Sequence, residues 1–405
     1  MNHRRLFRAC LLAAGLVGTS LLAGCWDRTE VNDLALITGA AIDRYDDKQI
    51  QLSVQIFIPR ASSGGGGSGG MEMGAKGGVG SSNTFVISAI GENIADALSH
   101  LQEKMPRKLF WGHAEVIIFG EAEARKGIRD DVDYLMRAPQ PRERAYIYVS
   151  QGKAKNSLDI PSVLERDSSE ALREIAKSKA SMSVTMTELS KMLTGDSGAA
   201  ALPWIKKNAP NSKKNPDKVV SYANGTAIFR GDRMIGVVDE TTTRGILWLR
   251  NEIKYAVVTV NPEGAKGNVS MKLLRSKTKL IPHIKDGKWS MTVRIRTESD
   301  ALQNTTSQNL MSGTLAAKRV QKAMNADMLA RVSLALLKVQ RELKADVFDF
   351  AGEFHRAYPK TWHRAQNRWD ELFPEVEVTV LPDSRLLRPG LSDVKATKQS
   401  GENER

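Results

Sequence analysis

The chain has 405 residues, 41% of them apolar, and 59 basic against 46 acidic side chains give it a formal charge of +13. That apolar content suffices for a core divided over two or three domains. A basic surface favours nucleic acid or an anionic membrane face. No helix-turn-helix pattern, zinc pattern or basic run interleaved with aromatics is present, so nucleic acid is set aside.

The first segment explains both cysteines. His3, Arg4, Arg5 and Arg8 form a basic opening, and Leu11 to Gly24 follows without a charge, the layout of an export signal over residues 1–24. The apolar run falls short of the ~18–20 residues that cross a bilayer as a helix. It ends in Leu22-Ala23-Gly24-Cys25, which resembles the bacterial lipobox, where the cysteine is lipidated and becomes the new first residue. Cys25 is therefore expected to be a tether. A diacylglyceryl group puts two chains on one sulfur, each buried methylene contributes ~0.8 kcal/mol, and one chain alone holds only marginally. Cys10 leaves with the signal, so Cys-based zinc sites, thiol nucleophiles and disulfides are excluded from the mature chain. Loss of Arg4, Arg5 and Arg8 leaves it at +10.

Ile50, Leu52, Val54, Ile56 and Ile58 alternate with mostly polar neighbours, which predicts a half-buried strand entered through the turn Asp46-Asp47. Residues 62–83 are glycine and serine rich and read as a flexible loop. Lys76 is followed by two glycines rather than by Ser or Thr entering a helix, so the loop lacks the phosphate-binding pattern. A strand at 85–90 precedes a helix at 92–105, striped by Ile94, Leu98, Leu101 and Met105. A strand at 115–119, a helix near 127–136 and a strand at 145–149 complete a mixed N-terminal domain, residues 25–195. Residues 196–220 read as a linker, with the basic cluster Lys206 to Lys218 solvated within it.

The C-terminal domain spans 221–391. Strands at 225–229 and 234–238 flank Arg230-Gly231-Asp232-Arg233, read as a β-turn rather than an adhesion motif. Further strands are expected at 255–260, 269–274, 279–284 and 289–296, with Asp286-Gly287 as a second hairpin turn, so 221–298 is strand-rich. Helical residues and a last strand fill 299–391. Val320, Met324, Met328, Val332, Leu336, Val339 and Leu343 step by three or four, predicting one long amphipathic helix that ends at Asp346. The aromatic stretch from Phe348 to Phe373 could form a ligand platform; core packing is the reading preferred here. Val376, Val378 and Val380 alternate into the last strand, and 392–405 is a polar, disordered tail. The fold class is α+β: multi-domain, with mixed sheets, packed helices, a long amphipathic helix and an aromatic-rich segment near the C-terminus.

Catalytic patterns are lacking. No histidine pair has metal-ligand spacing, no Gly-x-Ser-x-Gly elbow appears, and no Ser-x-x-Lys stands with its partners. Glu165, Asp167, Glu170 and Glu174 are interleaved with arginines and read as a solvated helix face. No catalytic, metal-binding or cofactor-binding residue is assigned, and Cys25 is the one site residue.

Cys25 followed by Trp26-Asp27, Glu30, an apolar strand, Gly39 and Asp43 resembles the opening of the Ger(x)C family of spore-germination lipoproteins, the C subunits of GerA-type nutrient germinant receptors. Tyr134 to Arg142 resembles the family's arginine-centred segment, and "NGTAIFRGDRMIGVV" its hairpin. Asp346, Phe348, Trp362, Trp369 and the closing "RLLRPG" resemble its C-terminal signature. The resemblance covers nearly all of the mature chain, with the Gly/Ser insert as the visible departure. It implies a non-enzymatic subunit anchored by diacylglyceryl cysteine on the outer face of the inner spore membrane. There it would work with A-type and B-type integral-membrane subunits to trigger germination. The alternative from another class is a lipid-anchored solute-binding protein or envelope hydrolase.

Overall fold

The computed structural model describes residues 33–58, 84–160, 162, 165–207, 221–306, 309–310 and 314–388, together with Phe7. Two sheets share a continuous apolar core. The larger has nine strands: β1 (Leu34–Arg44), β2 (Ile50–Phe57), β3 (Thr84–Gly91), β4 (Lys108–Phe110), β5 (Val116–Gly120), β6 (Tyr146–Ser150), β7 (Ala199–Lys207), β8 (Ser221–Arg230) and β9 (Arg233–Val238). Their order is β3-β2-β1-β5-β6-β7-β8-β9, with β4 beside the start of β1. The centre is parallel (β1, β5, β6, β7) and both flanks are antiparallel.

Central parallel strands are covered on both faces, and the sequence of β5, VIIFG, is apolar throughout for that reason. Ile117 and Phe119 point into the main core, while Val116 and Ile118 enter a second cluster on the opposite face. On the main-core side lie α1 (Ile94–Glu103), α2 (Glu121–Lys126), α3 (Arg129–Arg137) and α6 (Met186–Thr194); on the other lie α4 (Lys155–Leu158) and α5 (Ser168–Ser178). Side chains fix the helix starts: Asn93 accepts from Asp96 N, Asp167 accepts from Glu170 N, and Thr185 with Glu188 forms a capping box.

The smaller sheet has the order β10 (Val257–Val260), β11 (Val269–Lys285), β12 (Lys288–Asn304), β13 (Glu377–Arg388). β11 and β12 form one long hairpin, turned at Asp286 (φ 52°) and Gly287 (φ 76°). α8 (Thr314–Ala335), α9 (Phe350–Ala357), α10 (Pro359–Ala365) and α11 (Trp369–Leu372) cover one face. Between the sheets runs α7 (Glu240–Leu249), buried along most of its length. It crosses α8 so closely that a Cβ on Gly245 would stand 2.2 Å from Arg331 O.

The architecture is the expected α+β, with mixed sheets in a multi-domain chain. Three details differ from the sequence reading. The span expected as a linker, 196–220, contains β7; the run Ala199 to Ile205 is apolar and buried, and β7 pairs with β6 and β8. The hairpin β8–β9 therefore extends the first sheet rather than joining the second. The strands expected at 269–274 and 279–284 are one strand, continuous through a bulge between Leu273 and Arg275. The long helix turns π-helical over Leu336–Glu342, and Lys344 (φ 52°) stops it before Asp346. There buried Gln340 donates to Phe373 O and Val376 O, both at 2.8 Å. The wider turn brings Val339 and Gln340 inward together. The Gly/Ser insert at 62–83, residues 208–220 and the tail at 392–405 lie outside the described residues.

Candidate functional site

Cys25, the one site residue assigned from sequence, lies outside the described residues, as do Trp26, Asp27 and Glu30. Gly39 and Asp43, from the same opening motif, lie in β1 and seat α4 and α5 on the sheet. The Asp43 carboxylate accepts from Ala154 N at 2.6 Å and Lys155 N at 2.9 Å, satisfying the exposed donors at the start of α4. Burial raises its proton affinity above the ordinary carboxylate range, against the pull of those two donors. A Cβ on Gly39 would stand 2.0 Å from Ser169 Oγ, so glycine is what lets α5 approach. Beside them Gln55 donates to Leu158 O at 3.1 Å and accepts from Ser169 Oγ at 2.6 Å. These polar groups are spent on one another and hold the scaffold.

A second buried cluster joins β1 to α2 and α3. Arg44 Nε lies 2.9 Å from Glu123 Oε2, and Asp131 lies beside Glu123. Burial first, then the Glu123 charge, pushes Asp131 up to about 8; burial likewise raises Glu123, opposed by Arg44. Two carboxyls in one buried place cannot both ionise at low cost, so they share a proton. Such groups mark acid–base sites, and they also occur in structural ion-pair networks. The pair fixes α2 and α3 against Arg44, which supports the structural role. In the arginine-centred segment, Arg137 is exposed and pairs with Asp133 at 2.8 Å.

The C-terminal signature residues converge on Asp346, a fully buried carboxylate between α8 and α9. It accepts from Phe350 N at 3.0 Å, Ala351 N at 2.8 Å and Trp369 Nε1 at 3.1 Å. Burial raises it to about 6, the three donors opposing. Around it Phe348, Phe350, Phe354, Trp362, Trp369 and Phe373 are all buried. Trp362 and Trp369 meet edge to face at 5.1 Å, and Phe354 lies 4.7 Å from Trp289 of β12. The aromatic segment is core.

One cleft of about 730 Å³ opens between the end of α6 and the C-terminal helices. His355 Nδ1 and Asp196 Oδ2 lie 2.8 Å apart at this junction, with the His355 ring stacked on Trp362. The charges in the cleft wall are largely paired, Arg250 with Glu252 and Arg356 with Glu353. Among the described residues no group of three or more His, Cys, Asp or Glu is placed to hold a metal ion. No helix among them is long and apolar enough to cross a membrane. Sequence reasoning missed Gln55, the Glu123–Asp131 pair and His355–Asp196; each rests on partners distant in the chain.

Two family profiles match the chain. The profile described as "Spore germination protein N-terminal domain" matches residues 27–207. That described as "Spore germination B3/ GerAC like, C-terminal" matches residues 224–390. The chain is 31% identical over 364 residues to YfkR of Bacillus subtilis (strain 168), covering 89% of this chain and 92% of that one. It is 26% identical to spore germination protein KC of the same organism, with 95% and 97% covered. Spore germination protein B3 of that organism is 23% identical, with 88% and 91% covered. The crystal structure of the GerBC protein has the same fold at a TM-score of 0.54 and 18% identity, covering 86% of this chain and 97% of that one.

Proposed function

The chain belongs to the Ger(x)C family of spore germination proteins, and from that premise we propose that it is the lipid-anchored, non-enzymatic subunit of a nutrient germinant receptor. The observation that carries the reading is the match of both family profiles, in order, along nearly the whole chain. Three relatives named spore germination protein KC, B3 and A3 support it. Cys25 carries the diacylglyceryl group, and the folded part stands on the outer face of the inner spore membrane. There it works with A-type and B-type integral-membrane subunits to convert nutrient sensing into germination. A tethered domain stays near its membrane partners, so even a modest interface is populated through raised effective concentration. The buried polar groups support a non-enzymatic role, because Asp43, Gln55 and Asp346 are each engaged by neighbouring backbone or side-chain groups.

The test is deletion of the gene in spores that lack related receptors. Nutrient should then fail to trigger germination, while an agent acting downstream of receptors should still work. A normal nutrient response would overturn the proposal. Lipid analysis tests the anchor separately: the chain should carry diacylglycerol and Cys25→Ala should carry none, and diacylglycerol found on that variant would rule out Cys25.

A further inference from the structure

We propose that the uncovered face of the smaller sheet is a docking surface for an anionic phospholipid membrane, centred on the concavity beside the β11 bulge. The covered face is apolar, with Met291, Val293 and Ile295 of β12 buried beneath the helices. On the open face Lys272 and Arg275 stand opposite Asp300 and Glu298, and beyond them, toward the hairpin turn, the ladder is basic on both strands. Lys277 stands directly opposite Arg296, and Lys279 opposite Arg294. Like charges directly opposed across a ladder destabilise a sheet, so nothing in the hairpin itself calls for these rows. Among the described residues, Arg296 pairs with Asp383 at 3.1 Å, whereas Lys277, Lys279 and Arg294 have no ion-pair partner.

Geometry gathers the charge. The bulge between Leu273 and Arg275 exposes two successive side chains, and beside it lies a concavity of about 870 Å³. Lys254, Lys272, Arg275, Lys277 and Arg296 line it against one carboxylate, Glu298. Around these cations single apolar side chains stand in water: Tyr255 is 70% exposed, and Val257, Leu274 and Leu381 are between 43% and 44% exposed. Cations at headgroup level with scattered aromatic and aliphatic tips match a phospholipid interface, where the tips enter the acyl boundary and the amines stay with the phosphates. Each basic side chain near an anionic leaflet gives about a fivefold gain in partition.

This face would act beside the lipid anchor and does not depend on it, so the test removes the anchor from every arm. The full chain carrying Cys25→Ala is floated with phosphatidylglycerol vesicles or with phosphatidylcholine vesicles; its leader carries Arg4, Arg5 and Arg8 and itself favours the anionic vesicle, so the deciding reading is the difference between variants that share it. Binding to phosphatidylglycerol should exceed binding to phosphatidylcholine and should weaken as salt rises from about 0.05 to about 0.5 M. Adding Lys277→Gln, Lys279→Gln and Arg294→Gln, each of which faces a like charge across the ladder, should lower that binding roughly 100-fold and leave the thermal midpoint unchanged or raised. Glu298→Gln should instead raise binding about fivefold at an unchanged thermal midpoint, which separates the gain from misfolding. Equal binding to both vesicles, or phosphatidylglycerol binding that the triple substitution leaves intact, would overturn the proposal. Capture of a DNA duplex without vesicle binding would assign the face to nucleic acid instead.

Discussion

The two sheets use the same strand chemistry for opposite ends. In the nine-stranded sheet, helices cover both faces of the middle strands, and a buried polar side chain there is engaged by its neighbours, as Gln55 of β2 is by Leu158 O, Ser168 and Ser169. In the four-stranded sheet one face is sealed by α8 and the aromatic helices, while the other presents unpaired cations to solvent. Burial on both faces turns polar side chains into braces; burial on one face leaves the other free to meet a partner. The first sheet is a scaffold, and the second is half scaffold and half surface.

The sealed face should be the costliest place to disturb. Trp369 is 4% exposed, packs against Trp289, Phe354, Trp362 and Phe373, and donates to Asp346. Trp369→Ala removes that packing and strips one of three donors from a buried carboxylate. A loss of about 3–5 kcal/mol is expected in denaturant unfolding followed by tryptophan fluorescence. A loss typical of an exposed side chain, about 0.5 kcal/mol or less, would break the contrast between the two faces.

The hinge of the comparison is α7, which touches both sheets. Gly245→Ala must push α7 from α8, because the new Cβ meets a backbone carbonyl and not a flexible side-chain end. Overpacking of this kind costs about 1–3 kcal/mol, and a thermal melt of the full chain should show it. A neutral result would mean that the helices slide apart freely and that the two sheets are not locked.

α7 also shows where sequence reading stops. Its first turn, with Glu240, Thr241 and Arg244, meets solvent, whereas Ile246 to Leu249 are consecutive apolar residues enclosed by helix and sheets, so the amphipathic stripe that reveals α8 is missing. β7 was hidden by neighbours: Thr194 to Gly198 and the Lys/Asn/Pro run after it drew Ala199 to Ile205 into one apparent linker. The turn of the β11–β12 hairpin was legible from Asp286-Gly287, whereas the bulge between Leu273 and Arg275 breaks the alternation and made β11 read as two strands. The aromatic core was legible from its density alone. Asp131 and Gln55 were not, since an acid in a helix and a polar residue in a strand look solvated until the fold supplies distant partners.

A pH experiment sharpens the scaffold side. Asp131 is held up to about 8 and Asp346 up to about 6, by burial above all. A carboxyl whose folded value lies above its unfolded one contributes fully below the ordinary carboxylate range, and that contribution is lost as pH rises through the folded value. Stability should therefore fall from about pH 4 upward, with Asp131 carrying the upper part between about 6 and 8. Asp131→Asn keeps a neutral group that can still donate to Glu123, so the fall above pH 6 should flatten while the lower part remains. Melting curves at a series of pH values would show it, and an unchanged upper slope would count against the shared proton.

The smallest effect should appear on the open face, with the opposite sign. Lys277 faces Arg296 across the ladder and has no carboxylate of its own, while Arg296 already leans to Asp383. Lys277→Gln removes one repulsion, keeps a side chain of similar reach, and uncovers no core. The chain should gain about 0.2–1 kcal/mol, more at low salt than at high, because the repulsion is between solvent-exposed charges. A stabilising substitution on a functional surface carries a cost in function, because charge is kept there for a partner at some expense of stability. A gain in stability together with weaker vesicle binding would separate the two sheets by use as well as by burial. A loss of stability would mean that Lys277 braces the hairpin, and the open face would then be scaffold like the other.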